Sequence, residues 1–283
     1  MRRERVRDDW RARLSAAGMD RPAALLDDPL ERVASGGTCE LLSKPGLNGR
    51  QRWRWTLERA CGGEQVVYVK RYRAPSFRQQ CDRIMRQVRG HSVAWWEFHQ
   101  AERLAELRVP AAAAIGYAEE MRGLLESCSA VLLERVPGDA FDRYWTAACE
   151  RDAALTNGPA RHDVTRRLAR FVAGFHQTGY CHRDLYLCHI FICHERADAP
   201  PQFRLIDLAR TFRPRWRRTR WLVKDLSQLD VSARQIGASR ADRMRFLLTY
   251  FGLRRATPRA RRIMARVVAK GDRILGRMAR KGD

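Results

Sequence analysis

Apolar residues recur with a period of two through much of the first half of this 283-residue chain, and with helical spacing through most of the second. Val6, Trp10 and Leu14 come first, every fourth position among charges, which predicts a short amphipathic helix over 4–17 packed on the first half. Strand-like stretches follow at 39–43, 50–57 and 65–72. In the second of them Trp53, Trp55 and Leu57 alternate with Arg52, Arg54 and Thr56, as in a strand with one buried face. Turn residues separate the stretches, at Pro45-Gly46-Leu47-Asn48-Gly49 and at Cys61-Gly62-Gly63, so an antiparallel meander is expected. A helix over 92–107 comes next, stopped by Pro110. Glu97 shares one face of it with Ala94, Ala101 and Leu104, and a carboxylate turned inward requires a cationic partner. Lys70, on the preceding strand, is the expected one.

Residues 130–133 read as a last strand, and Glu134-Arg135-Val136-Pro137-Gly138 as a crossover into a second lobe. The expected division is therefore 1–136 and 137–283. Beyond it Val164, Leu168, Phe171, Val172 and Phe175 keep helical spacing until Gly179. Two short strands, 190–193 and 203–206, predict a hairpin that ends at Asp207, and helices are expected over 224–232, 240–251 and 258–280.

An apolar fraction of 45% is ample for a core. No run approaches the roughly 18 apolar residues of a membrane span, and Met1-Arg2-Arg3-Glu4-Arg5 lacks a signal-peptide stretch, so a cytoplasmic location is expected. The 8 cysteines, with no Cys-x-x-Cys among them, argue for free thiols. Cys181-His182, Cys188-His189 and Cys193-His194 bring zinc-ligand types together, but their spacing matches no common finger. A net charge of +23, mostly Arg, implies an anionic partner, whether nucleic acid, an acidic lipid surface or a phosphorylated substrate. Charge alone does not choose among these, and solvated basic faces would produce the same total.

The segment 180–193 supplies the chemistry. Phosphoryl transfer of the kinase type needs a carboxylate to accept the acceptor hydroxyl's proton, a metal ligand five residues on, and a second metal-binding Asp after the next hairpin. Asp184, His189 and Asp207 stand at those offsets. Together with Lys70 on a strand and Glu97 on a helix, they follow the chain order of the protein-kinase-like fold. The expected class is α+β and two-lobed, with an antiparallel-sheet N-lobe carrying one main helix and a mostly helical C-lobe.

The chain most closely resembles the lipopolysaccharide core kinases, which phosphorylate heptose or Kdo. The resemblance rests on His182-Arg183-Asp184-Leu185-Tyr186-Leu187-Cys188-His189, on Gly49-Arg50 to Trp55, on Val69-Lys70-Arg71-Tyr72, and on Trp96-Glu97-Phe98 with Glu102-Arg103-Leu104. Val223-Lys224-Asp225-Leu226-Ser227-Gln228-Leu229 and Ser239-Arg240-Ala241-Asp242-Arg243 to Phe246-Leu247 extend it to about residue 252. It implies ATP and Mg2+ as cofactors, Lys70 on the ATP phosphates with Glu97 holding it, Asp184 as base, Arg183 steadying the loop, and Asp207 as a magnesium ligand. It also implies that Asp225 anchors the loop backbone. The acceptor would be a glycolipid or sugar, met by a protein lying peripherally on the anionic inner face of the cytoplasmic membrane.

Three departures qualify this picture. Asn is usual at His189, and imidazole prefers softer ions than magnesium, so metal ligation and a structural role both stand. The turn over the nucleotide is Lys44 to Arg50, without a Gly-x-Gly-x-x-Gly, leaving backbone amides, at Gly46 and Gly49 among others, and two cations, Lys44 and Arg50, for phosphate. Leu208-Ala209 replaces Phe-Gly, and the stretch from Asp207 to Asp225 is too short for a switched activation segment. That stretch, with Arg210, Arg215, Trp216, Arg220 and Trp221, is expected to be a basic loop facing the acceptor. The alternatives are another small-molecule or atypical protein kinase of this fold, or a non-catalytic basic module binding nucleic acid or anionic membrane. The C-terminal stripe of Ile263, Met264, Val267, Val268, Ile274, Leu275 and Met278 fits a packed helix or a peripheral membrane one.

Overall fold

The computed structural model describes residues 1–42, 49–58, 62–151, 158–194 and 199–282. Two compact units result, Met1–Val136 with Asp207–Ala209, and Pro137–Ile206 with Arg210–Asp283.

The first unit is built on an antiparallel sheet of β1 (Arg2–Val6), β2 (Thr38–Leu41), β3 (Arg50–Glu58), β4 (Glu64–Arg73), β5 (Ala114–Arg122) and β6 (Leu125–Glu134). Their spatial order is β1-β5-β6-β4-β3-β2. Trp53, Trp55 and Leu57 of β3 and Val67 and Val69 of β4 share one core with Trp10 and Leu14 of α1 (Asp8–Ala16). Two short helices, α2 (Ala24–Asp27) and α3 (Leu30–Val33), close this side through Leu25 and Leu30.

The helix expected over 4–17 starts only at Asp8, because the residues before it form β1 on the edge of β5, in a register from Arg2 opposite Glu120 to Val6 opposite Gly116. A four-residue repeat cannot distinguish a strand that delivers Val6 to the core from a helix that does. Gly116 admits the approach, since a Cβ there would lie 2.7 Å from the Arg5 carbonyl oxygen. The sequence reading missed β5 because nearly all of it is buried, which removes the two-residue alternation. It also missed α4 (Phe77–Arg86), a helix opened by the Ser76–Gln79 capping box. α5 (Val93–Glu106) lies close to expectation, capped by Ser92 Oγ accepting from Trp95 N at 3.0 Å.

In the second unit β7 (Asp139–Ala140), β8 (Ile190–Cys193) and β9 (Gln202–Leu205) form a small antiparallel sheet. Around it lie α6 (Phe141–Arg151), α7 (Pro159–Gln177), α8 (Arg218–Gln235), α9 (Arg240–Tyr250) and α10 (Pro258–Gly282). Gly179 ends α7's run at φ +94°, a conformation glycine adopts without strain. α8 begins six residues before the expected start at 224, so Arg218, Arg220 and Trp221 are helical and not part of a loop. The Trp221 ring stands edge-on to Phe212, 5.0 Å between centroids, and packing there outweighs the polar look of the segment. α10 packs on α8 through its buried Ala260, Met264, Val267 and Gly271. Among the described residues, no helix is long and apolar enough to cross a membrane.

Candidate active site

On β4 the residues alternate between the core of Val67 and Val69 and the opposite face, which carries Lys70 and Tyr72. Lys70 Nζ lies 2.6 Å from Glu97 Oε1 on α5 and 2.8 Å from Asp207 Oδ1. The Tyr72 hydroxyl donates to Glu97 Oε2 at 3.4 Å. Glu97 is 1% exposed and Lys70 11%, so the ammonium is what makes the inward carboxylate affordable. Burial by itself would depress the Lys70 pKa, but Asp207 and Glu97 outweigh it and hold the ammonium charged beyond the ordinary lysine range. Burial, then Glu97, push the Tyr72 hydroxyl upward. Asp207 sits at φ +59°, a left-handed conformation that costs a non-glycine residue about 1 kcal/mol or more. Gln87 Nε2, donating to the Ala209 carbonyl at 2.5 Å, ties the following turn to the same unit.

Of the other residues expected at a nucleotide, Gly49 sits at φ +72° and accepts from Arg73 N at 2.7 Å. The Arg50 guanidinium lies over the Tyr72 ring at 5.4 Å. Gly46 falls in 43–48, outside the described residues.

In the second unit one face of α8 grips the loop that carries Asp184. Asp225 takes the His182 and Arg183 backbone N–H groups on its two oxygens, at 2.7 and 2.8 Å. Gln228 Oε1 accepts from Leu185 N at 3.2 Å, and Ser232 Oγ from Leu187 N at 3.1 Å. Lys224 Nζ donates to the Arg183 carbonyl. Asp225, at the centre of this comb, is also met by His176 Nε2 at 3.3 Å, while the other ring nitrogen faces the Tyr250 hydroxyl at 2.8 Å.

The loop held in this way presents Asp184 with its carboxylate already engaged. Gln228 Nε2 donates to Oδ1 at 3.2 Å, and Arg210 Nη1 to Oδ2 at 3.4 Å. Arg183, at φ +67°, turns its guanidinium inward over the rings of Phe212 and Trp221, at 5.5 and 5.7 Å. His189 Nδ1 lies 2.7 Å from the Asp184 carbonyl. A carbonyl only accepts, so Nδ1 carries the hydrogen and Nε2 the lone pair of the neutral ring. His182 and His194 likewise reach backbone carbonyls, of Ile206 at 2.9 Å and Ala199 at 3.1 Å.

Sequence reasoning did not assign Lys224, Gln228 or Ser232 a role in this loop. The available signal was Asp225, Gln228 and Ser232 at helical spacing, with Lys224 beside them, in a stretch of the helix that is buried from Asp225 to Ser232. Burial, followed by Arg210, pushes the Lys224 ammonium down to about 8, against smaller opposing effects of Asp184 and Asp225. Since the ordinary value is 10.5, the unfolded chain binds more protons than the folded one between those values, and stability rises with pH across them. Denaturation midpoints should therefore shift in favour of the wild type over Lys224→Met as pH climbs from about 8 towards 10.5. A difference that stays flat across that window would refute the shift.

The Lipopolysaccharide kinase (Kdo/WaaP) family matches residues 49–250. The chain belongs to this family. Two curated members are both lipopolysaccharide core heptose(I) kinases WaaP, one from Pseudomonas aeruginosa and one from Escherichia coli K12. The first is 31% identical over 195 residues, 66% of this chain and 70% of its own. The second is 31% identical over 196 residues, 66% of this chain and 71% of its own. A solved structure, WaaP in complex with acyl carrier protein, superposes with a TM-score of 0.64 at 24% identity, covering 97% of this chain and 98% of that one. That likeness shows the α+β kinase-like fold. Lys70, Glu97, Asp184, His189, Asp207 and Asp225 all fall inside the span matched by the Kdo/WaaP family, and α10 lies beyond it.

Proposed function

We propose that this chain transfers the terminal phosphate of ATP to a hydroxyl of an inner-core sugar of lipopolysaccharide, heptose or Kdo. The reading is carried by one observation, a single buried lysine tied to both Glu97 and Asp207. A pure binding module has no need for that arrangement. Lys70 spends two of its three N–H donors on the two carboxylates and directs the third to phosphate oxygens. Gly49 and Arg50 follow that face of the unit, and Glu97 keeps Lys70 in place. Asp184 takes the hydroxyl proton as the new oxygen–phosphorus bond forms, and Gln228 and Arg210 hold its carboxylate. Arg183 steadies the loop from within.

Asp207 supplies the hard carboxylate oxygen that suits Mg2+, whereas His189 Nε2 is a softer donor, so Asp207 is the stronger ligand of the two. The described residues gather no group of three or more His, Cys, Asp or Glu around one point, which fits an ion that completes its shell with phosphate oxygens and water. When bound, the ion neutralises charge on the phosphoryl oxygens. The acceptor reading is supported by the names of the two curated relatives. A lipid-linked acceptor in turn places the enzyme peripherally on the cytoplasmic face of the inner membrane.

The test is incubation with ATP, Mg2+ and lipopolysaccharide lacking core phosphates, followed by mass spectrometry of the sugar. One added phosphate on heptose or Kdo is the expected result. ATP consumed with phosphate appearing only on protein would favour an atypical protein kinase, and no nucleotide-dependent thermal stabilisation would favour a non-catalytic basic module.

A further inference from the structure

α10 carries cations that the phosphotransfer residues leave unused. Arg262, Arg266, Lys270, Arg273, Arg277 and Arg280 recur every three or four residues and so form one stripe along the helix, roughly 27 Å long at 1.5 Å per residue. The stripe borders a groove of about 400 Å³ shared with α8, where Arg220, Arg266, Lys270 and Arg273 stand around the small residues Ala265 and Ala269. A second hollow along the same helix is lined by Lys270, Asp272, Arg273, Gly276, Arg277 and Arg280.

Among the described residues none of these cations is joined to a carboxylate by an ion pair. Asp272, the acid on α10 beside the stripe, is taken by Arg234 at 2.6 Å. Arg273, Arg277 and Arg280 instead donate Nε to the carbonyls of Ala269, Arg273 and Gly276 on their own helix. Lys270 shows the consequence. Burial in the groove, then Arg220, Arg273 and Arg277, push its ammonium below the ordinary lysine value, against a smaller opposing effect of Asp225. Like charges that outweigh the counter-charge near them are relieved by a bound anion.

We propose that the α8–α10 groove binds the phosphate groups of an anionic lipid surface. Arg grips phosphate with paired N–H donors, and the small side chains between the cations let phosphates come close. A row of this length meets several head groups at once. A surface that reads nucleic-acid bases would add rings to stack on them and amides or hydroxyls to reach their edges, and α10 contains no aromatic residue and no Asn, Gln, Ser or Thr. The proposal rests on the reading of the acceptor as lipid-linked, and it names the part of this chain that meets the lipid.

Full-length protein sedimented with phosphatidylcholine vesicles, with and without phosphatidylglycerol, tests it. The wild type should bind only the anionic vesicles, less well as salt rises, and Arg266→Glu with Lys270→Glu and Arg273→Glu should weaken binding about a hundredfold, at roughly 1 kcal/mol per cation. The same three reversals at exposed Arg78, Arg89 and Arg122 in the first unit control for bulk charge and should leave binding nearly unchanged. Lys270→Gln with Arg273→Gln provides a milder variant should the reversals unfold the protein. Turnover of detergent-dispersed acceptor should survive the α10 changes, while turnover of vesicle-embedded acceptor falls. Unaltered vesicle binding in the α10 variants, equal loss in the control, or binding to duplex DNA in place of anionic vesicles would overturn the proposal. Vesicle binding that depends on α10 in a protein without any transfer activity would uphold it and sink the kinase reading instead.

Discussion

Asp184→Asn is expected to cut phosphate transfer by about 10³-fold, within the range a positioned general base contributes. The substitution keeps shape and leaves an oxygen to accept from Gln228 Nε2, so the loop geometry survives. What disappears is the group able to take the hydroxyl proton. Stability should change little. The pair with Arg210 is partly exposed and long at 3.4 Å, and such pairs contribute about 1 kcal/mol or less. The measurement is transfer of labelled phosphate from ATP to the acceptor, alongside a denaturation midpoint. Transfer within tenfold of wild type would remove Asp184 from the chemistry, whatever the loop looks like.

Lys70→Met carries the second large effect, and it falls on folding and activity together. Removing the ammonium strands Glu97, almost wholly buried, with Asp207, the carboxylate that shared its cation. Breaking a buried pair from one side costs about 3 kcal/mol, much of it the penalty of the uncompensated charge. The folded-state pKa of Lys70 is raised, so its stabilisation is fully present below the ordinary value of 10.5 and is lost only as pH passes above the folded-state pKa. Lys70 itself therefore stays charged from pH 6 to pH 8. Adding Glu97→Gln to Lys70→Met should recover most of the stability and none of the transfer, which separates the lysine's structural role from its catalytic one. Recovery of activity in that double variant would refute the assignment of Lys70 to phosphate.

The partnership of Lys70 and Glu97 was legible because each breaks a local rule. Glu97 is a charge on the apolar face of a helix, and such a charge has to find a cation. The meander was legible for a similar reason, since Trp53, Trp55 and Leu57 alternate cleanly over a half-buried face. β1 and β5 were not. β5 is covered on both faces and loses its period, and β1 is a strand only because an edge distant in sequence accepts it. Trp221 was misread because aromatic and basic residues look the same in a loop as in a helix that presses its ring on Phe212.

The loop that carries Asp184 divides along the same line. The α+β class, the His-Arg-Asp segment with its later Asp, and the inward Glu97 could be read along the chain because periodicity and residue chemistry are local properties, and the family because its motifs are contiguous. Tertiary structure alone decided that Lys224, Gln228 and Ser232 join Asp225 in holding the loop. It also decided that Arg183 turns onto Phe212 and Trp221, that Asp207 shares Lys70 with Glu97, and that the cations of α10 border a groove with α8. Each of these is a pairing across long sequence separation, and its partner is set by how elements pack, which no period along the chain encodes.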